Sequence, residues 1–229
     1  MGRTTPNDNK RLCLDSLPPA EGTDTYGPCV ATRVAQWCNM GAIGIFLDEF
    51  GFDYQNDRAR QNRAIEIVHN SGKFVVANAW DPDEVFSGSP TSLLDANDYY
   101  FYESHLVKDG MLENLVIWQE KAEKLRQYRM SRAFNIMSIT TAGSSAFDEN
   151  KFWYSWFGAL IHEHAATGWG EPNYSASNSQ APVRPVPTLS QTADTWLGPV
   201  IYDLGWAYRQ SDMCTYYIDG WAGTGYEAC

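Results

Sequence analysis

Through the middle of the chain, short apolar runs alternate with longer stretches whose apolar positions recur at helical spacing. Gly44–Leu47 ("GIFL") reads as a buried strand. Arg58–Asn70 follows as a helix, with Ala64, Ile65 and Val68 at helical spacing, and Ser71-Gly72 supplies the stop. Lys73–Ala79 ("KFVVANA") is the next strand. Ser92–Asn97 has room only for a short helix, and Asp98–Glu103 ("DYYFYE") is a third strand. Leu112–Tyr128 predicts a long helix with Leu115, Trp118, Ala122 and Leu125 on one face. Ala133–Thr140 predicts a strand, Asn150–His164 an aromatic-rich helix, and Ala165–Trp169 a further strand. Ahead of Gly44 the pattern is weaker: a helix over Cys29–Met40 and a strand over Arg11–Leu14.

Strand, helix, strand, helix implies parallel strands joined by crossovers, in a sheet covered on both faces. The expected class is therefore α/β, a (β/α)8-type TIM barrel. About six strands are readable where a closed barrel of this kind needs eight. Two readings of this stay open: the first strands are cryptic, or they are not in this chain. The 229 residues suit one domain over 1–229. Its part from 180 to 229 divides into a proline-rich loop, Gln180–Ser190, and an appended β element around Tyr208-Arg209 and "CTYYIDG".

Composition narrows the function classes. The net charge is −11, which argues against nucleic acid as partner and against anionic membranes. No apolar run is long enough to span a bilayer, so no membrane insertion is expected. "MGRTTPNDNKRL" does not read as a signal peptide. The five cysteines, Cys13, Cys29, Cys38, Cys214 and Cys229, contain no C-x-x-C pair, which leaves zinc without support; no metal and no cofactor are expected. Their clustering near the two ends leans towards an extracellular or cell-surface protein with disulfides. Cys214 with Cys229 is the expected bridge, and Cys29 has Cys13 or Cys38 as partner. Buried free thiols are the plainer alternative. Asn173-Tyr174-Ser175 is a glycosylation sequon, a short match of little weight.

In a parallel barrel the active site lies at the carboxyl ends of the strands. Here those ends carry Asp48 and Glu49, then Asn78, Trp80 and Asp81, then Glu103, Ser104 and His105, then Thr140 and Thr141, then Trp169 and Glu171. Carboxylates, amides and indoles on one rim suit a sugar, whose hydroxyls take polar contacts while its C–H faces stack on rings. Glycoside hydrolysis needs two carboxyl groups flanking the scissile bond. Asp48 and Glu103 are the candidate pair. Glu49, Asn78, Trp80, Asp81, His105, Thr140, Trp169 and Glu171 are the candidate substrate-binding residues. An acid at a strand end also serves as a plain cap. His162 and His164 flank Glu163, but residues two apart on a helix do not share a face, so a metal site there is not expected. Trp118, Trp153 and Trp156 sit in helical patterns and read as packing residues. No P-loop or G-x-S-x-G sequence occurs.

Three stretches in order, "GAIGIFLDEFGFDY", "RQNRAIEIVHNSGKFVVANAWDPDEVF" and "NDYYFYES", resemble the glycoside-hydrolase-like TIM barrels of the endo-α-1,4-polygalactosaminidase and spherulin-4 type. The closing "YRQSDMCTYYIDG" is similar to the terminal strand of several such barrels. The resemblance implies that Asp48 and Glu103 form a catalytic pair acting on a polysaccharide. It departs from the family at the first strands, whose binding aromatics and starting motif are not found ahead of Arg11. Many relatives of the group sit in surface or appendage proteins. The rival expectation is therefore a non-catalytic carbohydrate-binding or structural module, with self-assembly if it belongs to an appendage.

Overall fold

The computed structural model describes residues 2–3, 26–54, 56–172, 182–190 and 195–229. Arg11–Leu14, Cys13 and the sequon at Asn173 lie outside the described residues. The chain falls into two compact units, Met1–Phe101 with Tyr128–Asn135, and Tyr102–Gln127 with Ile136–Cys229.

In the first unit, parallel strands β1 (Gly2–Arg3), β2 (Gly44–Leu47), β3 (Phe74–Asn78) and the start of β4 (Tyr99–Glu103) pair in that order. Val75, Val76 and Ala77 are all buried at successive positions, which a strand covered on both faces requires. Gly44 is needed for packing, because a Cβ there would stand 2.3 Å from the Phe74 ring. Helix α1 (Tyr26–Asn39) precedes β2, and α2 (Arg58–Asn70) follows it. The Asp57 side chain accepts from Arg60 N at the start of α2, and Ala64, Ile65 and Val68 form its buried stripe. Helix α3 (Asp83–Phe86) is one turn. Its Phe86 stacks on Phe134 at 4.1 Å and meets Tyr100 and Tyr128.

No helix forms over Ser92–Asn97, and the reason is local. Asp95 Oδ1 accepts from Asn97 N, and Asp98 Oδ2 accepts from Asp95 N. Side chains thus take backbone donors that a helix would have used.

In the second unit, β5 (Val107–Lys108) and β6 (Met111–Leu112) form a small hairpin ahead of α4 (Leu115–Ser131). The predicted helix start at Leu112 is corrected to Leu115. Asp109 and Gly110 turn the hairpin with φ of 51° and 76°, and Asn114 Oδ1 then caps Val116 N at 3.0 Å. Strand β7 (Asn135–Thr141) pairs in parallel with β8 (Ala166–Gly170). Between them runs α5 (Glu149–Ile161). It ends earlier than the pattern predicts: His162 is its C-cap, and Glu163 takes φ 56°, so His164 lies beyond the helix.

The appended β element is larger than a hairpin. Strands β9 (Ile201–Asp203), β10 (Trp206–Gln210), β11 (Thr215–Asp219) and β12 (Thr224–Ala228) make an antiparallel sheet in that order. Tyr216, Ile218 and Ala207 on its inner face join Phe152, Tyr154, Phe157 and Ile161 of α5 in one core. Gly225 admits Phe157, whose Cβ would stand 2.7 Å from a Cβ at 225. A disulfide joins Cys214 to Cys229, the expected bridge. Cys29 is also disulfide-bonded, while Cys38 is free. The protein is thus a mixed α/β structure with parallel strands in each unit and an antiparallel sheet in the second. Among the described residues no helix is long and apolar enough to cross a membrane.

Candidate functional site

The carboxyl end of β2 delivers Asp48 half-buried. Its Oδ1 accepts from Asn78 Nδ2 at 2.9 Å and from Glu49 N at 3.0 Å. Asn78 is the last residue of β3, so neighbouring parallel strand ends fix the carboxylate between them. Glu49 holds a left-handed φ of 51°, an uncommon conformation for a residue with a side chain. The surrounding loop sustains it. Asn56 Nδ2 donates to Glu49 O at 2.7 Å, Phe50 N donates to Asn78 O at 2.7 Å, and Gln61 Nε2 donates to Phe50 O at 2.6 Å.

Glu84 completes this rim and was not singled out in the sequence. Its Oε2 accepts from Phe52 N at 2.9 Å. Burial raises the Glu84 pKa, the Phe52 N–H opposes that, and Asp53 and Asp81 push it further up. The available signal was the acidic run Asp81-Pro82-Asp83-Glu84, with two residues between it and the end of β3. Gly51 lets both carboxylates close in: a Cβ there would lie 2.4 Å from Glu84 Oε2 and 2.6 Å from Asp53 Oδ1, so a side chain would push them aside. Trp80 is 44% exposed on the same loop. Asp81 Oδ1 accepts from Asp83 N at 2.9 Å, a capping contact for α3.

Glu103 ends β4, half-buried, and belongs to the second unit. Ser104, after it, is buried at φ 58° and its hydroxyl lies 3.0 Å from Thr141 Oγ1. His105 is 1% exposed. It sits edge-on to Tyr102 at 4.9 Å and 4.8 Å from the His164 ring. Burial lowers its pKa well below the usual imidazole value, with His162 and Lys121 adding to the effect. The neighbours are themselves fixed: His164 Nδ1 lies 2.9 Å from Ser138 Oγ, and His162 Nε2 2.8 Å from Tyr202 Oη. Lys121 Nζ stands 4.2 Å over the Tyr102 ring. His105 is therefore an interior residue of this unit.

Three other candidates are also engaged in the second unit. Thr140 is buried, with Gly170 N donating to its hydroxyl at 3.3 Å. Trp169 is 7% exposed and packs edge-on against Phe147 and Phe152. Glu171 forms a two-point pair with Arg184, at 2.5 and 2.8 Å, and Arg184 covers the Phe147 ring. That pair fastens the loop around 184 to the strand end.

Two side-chain groups among the described residues have the donor types of a metal site. His69, Asp95 and Asp98 form one. There the buried Asp98 carboxylate already accepts from Val75 N at 2.7 Å and Asp95 N at 2.8 Å, and meets His69 Nε2 at 2.9 Å. Cys214, Glu227 and Cys229 form the other, but its sulfurs are joined as a disulfide and offer no thiolate. A scan against protein-family models matches none, and a search of curated proteins gives no significant match.

Proposed function

We propose that the protein is a glycosidase-like (β/α) barrel, secreted or on the cell surface, that hydrolyses a polysaccharide. The observation that carries the proposal is the seat of Asp48: a carboxylate at the end of one parallel strand, oriented by the terminal amide of the next. Carboxyl ends of parallel strands are where such barrels do their chemistry. Closure of the strands into a barrel is part of the proposal, as is the resemblance of the strand motifs to the polygalactosaminidase-type group.

In this mechanism Glu103 protonates the departing glycosidic oxygen. Asp48 either attacks the anomeric carbon or removes a proton from the water that does. The separation of the two carboxyls decides: about 5–5.5 Å for attack with retention, about 6.5–9.5 Å for inversion through water. Trp80, just after β3, and Glu84 of α3, which meets the loop after Asp48 at Phe52 N, supply a stacking face and a hydroxyl acceptor for the sugar.

The test is hydrolysis across a glycan panel with the wild type, Asp48→Asn and Glu103→Gln, read with melting temperature. Asparagine caps about as well as aspartate, so a purely structural Asp48 keeps activity and most of its stability. A reacting Asp48 loses several orders of magnitude in rate with the fold intact. Full activity in either variant removes that residue from the mechanism. Trp169, the strand-end indole expected to stack on sugar, is packed inside, which takes one sugar contact away from the hydrolytic rim; the second reading is a carbohydrate-binding module without hydrolysis, whose sugar lies elsewhere on the protein. Binding without turnover of any glycan by the wild type would select it.

A further inference from the structure

Side chains alternate across the β9–β12 sheet. Ala207, Tyr216, Ile218 and Gly225 point inward and are buried. The other parity sends Trp206, Tyr208, Tyr217 and Tyr226 outward. Tyr208 lies opposite Tyr217, and Tyr217 opposite Tyr226, so rings from three successive strands form a row. Their centroids are 5.5 and 5.2 Å apart, with planes inclined by 31° and 16°. Rings so nearly parallel at that spacing are offset, and each leaves part of its face uncovered. Trp206 stands edge-on to Tyr226 at 6.3 Å. Tyr226 is 41% exposed, Trp206 36%, and Ile201, of the same parity on β9, 43%.

Cross-strand ring pairs stabilise a sheet, and this accounts for Tyr217, which has a ring on each side. It does not account for Tyr226 and Trp206, whose rings remain substantially open after folding. Charge selects what covers them. This parity of the four strands carries Asp203 and Asp219 and no lysine or arginine. An acidic polymer is repelled, and a second copy of a chain with net charge −11 sets acid against acid. An uncharged sugar polymer has the matching chemistry. Its C–H faces lie on the rings, and its hydroxyls donate to the carboxylates and exchange hydrogen bonds with the phenols. The ring spacing is comparable to the length of one sugar residue in an extended chain.

We infer that the outward face of the β9–β12 sheet binds an uncharged polysaccharide chain running across the strands along the tyrosine row. This binding needs no hydrolysis, so it stands or falls apart from the proposal for Asp48 and Glu103. The test is native gel electrophoresis of the full chain through hydroxyethylcellulose, galactomannan and a soluble β-1,3-glucan, with polygalacturonate as the acidic comparison. The wild type is expected to be retarded by at least one neutral polymer. Tyr226→Ala and Trp206→Ala are each expected to lower affinity about tenfold, and Tyr226→Phe to keep most of it. Should Tyr226→Ala fail to fold, Trp206→Ala and Ile201→Ser, read with melting temperature, carry the same comparison. The inference is overturned if no neutral polymer retards the wild type, if the folded variants migrate as the wild type does, or if polygalacturonate alone retards it. It is also overturned if the wild type sediments as a dimer that Trp206→Ala dissociates.

Discussion

Glu113 carries a buried carboxylate oxygen, Oε2, that meets no hydrogen-bond donor among the described residues. Burial raises its pKa, and Lys121 and Lys108 only partly oppose that. A carboxyl with a raised folded pKa favours its protonated form in the fold, so stability is lost as pH rises from the unfolded value through the raised one. Glu113→Gln keeps the shape and removes the charge. It is expected to raise the melting temperature at neutral pH and to leave it unchanged below about pH 4, where both residues are neutral. His105 has the opposite sign. Its pKa is lowered by burial, so stability is present above the unfolded imidazole value, about pH 6.5, and falls as acid protonates the unfolded chain. Around it stand Tyr102, His164, His162 and Lys121, and three of these are basic groups that oppose a new positive charge. His105→Phe is expected to flatten the loss of stability between neutral pH and about pH 5, measured as denaturant midpoint against pH.

At the scale of elements, Asp98 ties strand to helix. Its carboxylate receives the N–H of Val75 in β3 and holds His69 at the end of α2, while its carbonyl receives Asn135 N. Asp98→Ala keeps the carbonyl that receives Asn135 N but leaves the N–H groups of Val75 and Asp95 without their carboxylate acceptor, and is expected to cost about 1–3 kcal/mol for each buried donor stranded, read by urea unfolding. Asp98→Asn retains part of that set and is expected to cost less. Elements of this unit were legible in sequence because burial and periodicity agree: β2 and α2 lie where their patterns place them. The β5–β6 hairpin is not legible in sequence, because two-residue strands carry no period, although Asp109-Gly110 is a turn signal. The helical pattern in sequence runs on through His162–His164, because composition does not show the left-handed Glu163. At the candidate site, Asp48 and Asn78 were legible as strand ends, and their hydrogen bond follows from parallel pairing. Glu84 was not, since it reaches the loop after β2 only through the tertiary return of α3. Trp169 lies at a strand end as read, but Phe147 and Phe152, distant in pattern, close over it.

For the whole molecule, the bridge from Cys214 to Cys229 spans a separation of 15 residues. Replacing both cysteines by serine is expected to lower unfolding free energy by about 3 kcal/mol in urea, most of it through the freedom returned to the unfolded chain. Cys38, free on α1, is not involved in that loss. The bridge also sets a load path. A pull applied at residue 229 does not reach the sheet by peeling β12 away from β11 one hydrogen bond at a time. It passes through sulfur directly to Cys214, at the head of β11, the strand flanked by both β10 and β12. From Cys214 the tension runs back along the chain to Gln210 at the end of β10, so β11 and β12, both inside the loop the disulfide closes, carry none of it. In single-molecule stretching the oxidised chain should therefore release less length on unfolding than the reduced one, short by the segment between Cys214 and Cys229 that the disulfide keeps out of the path of the pull.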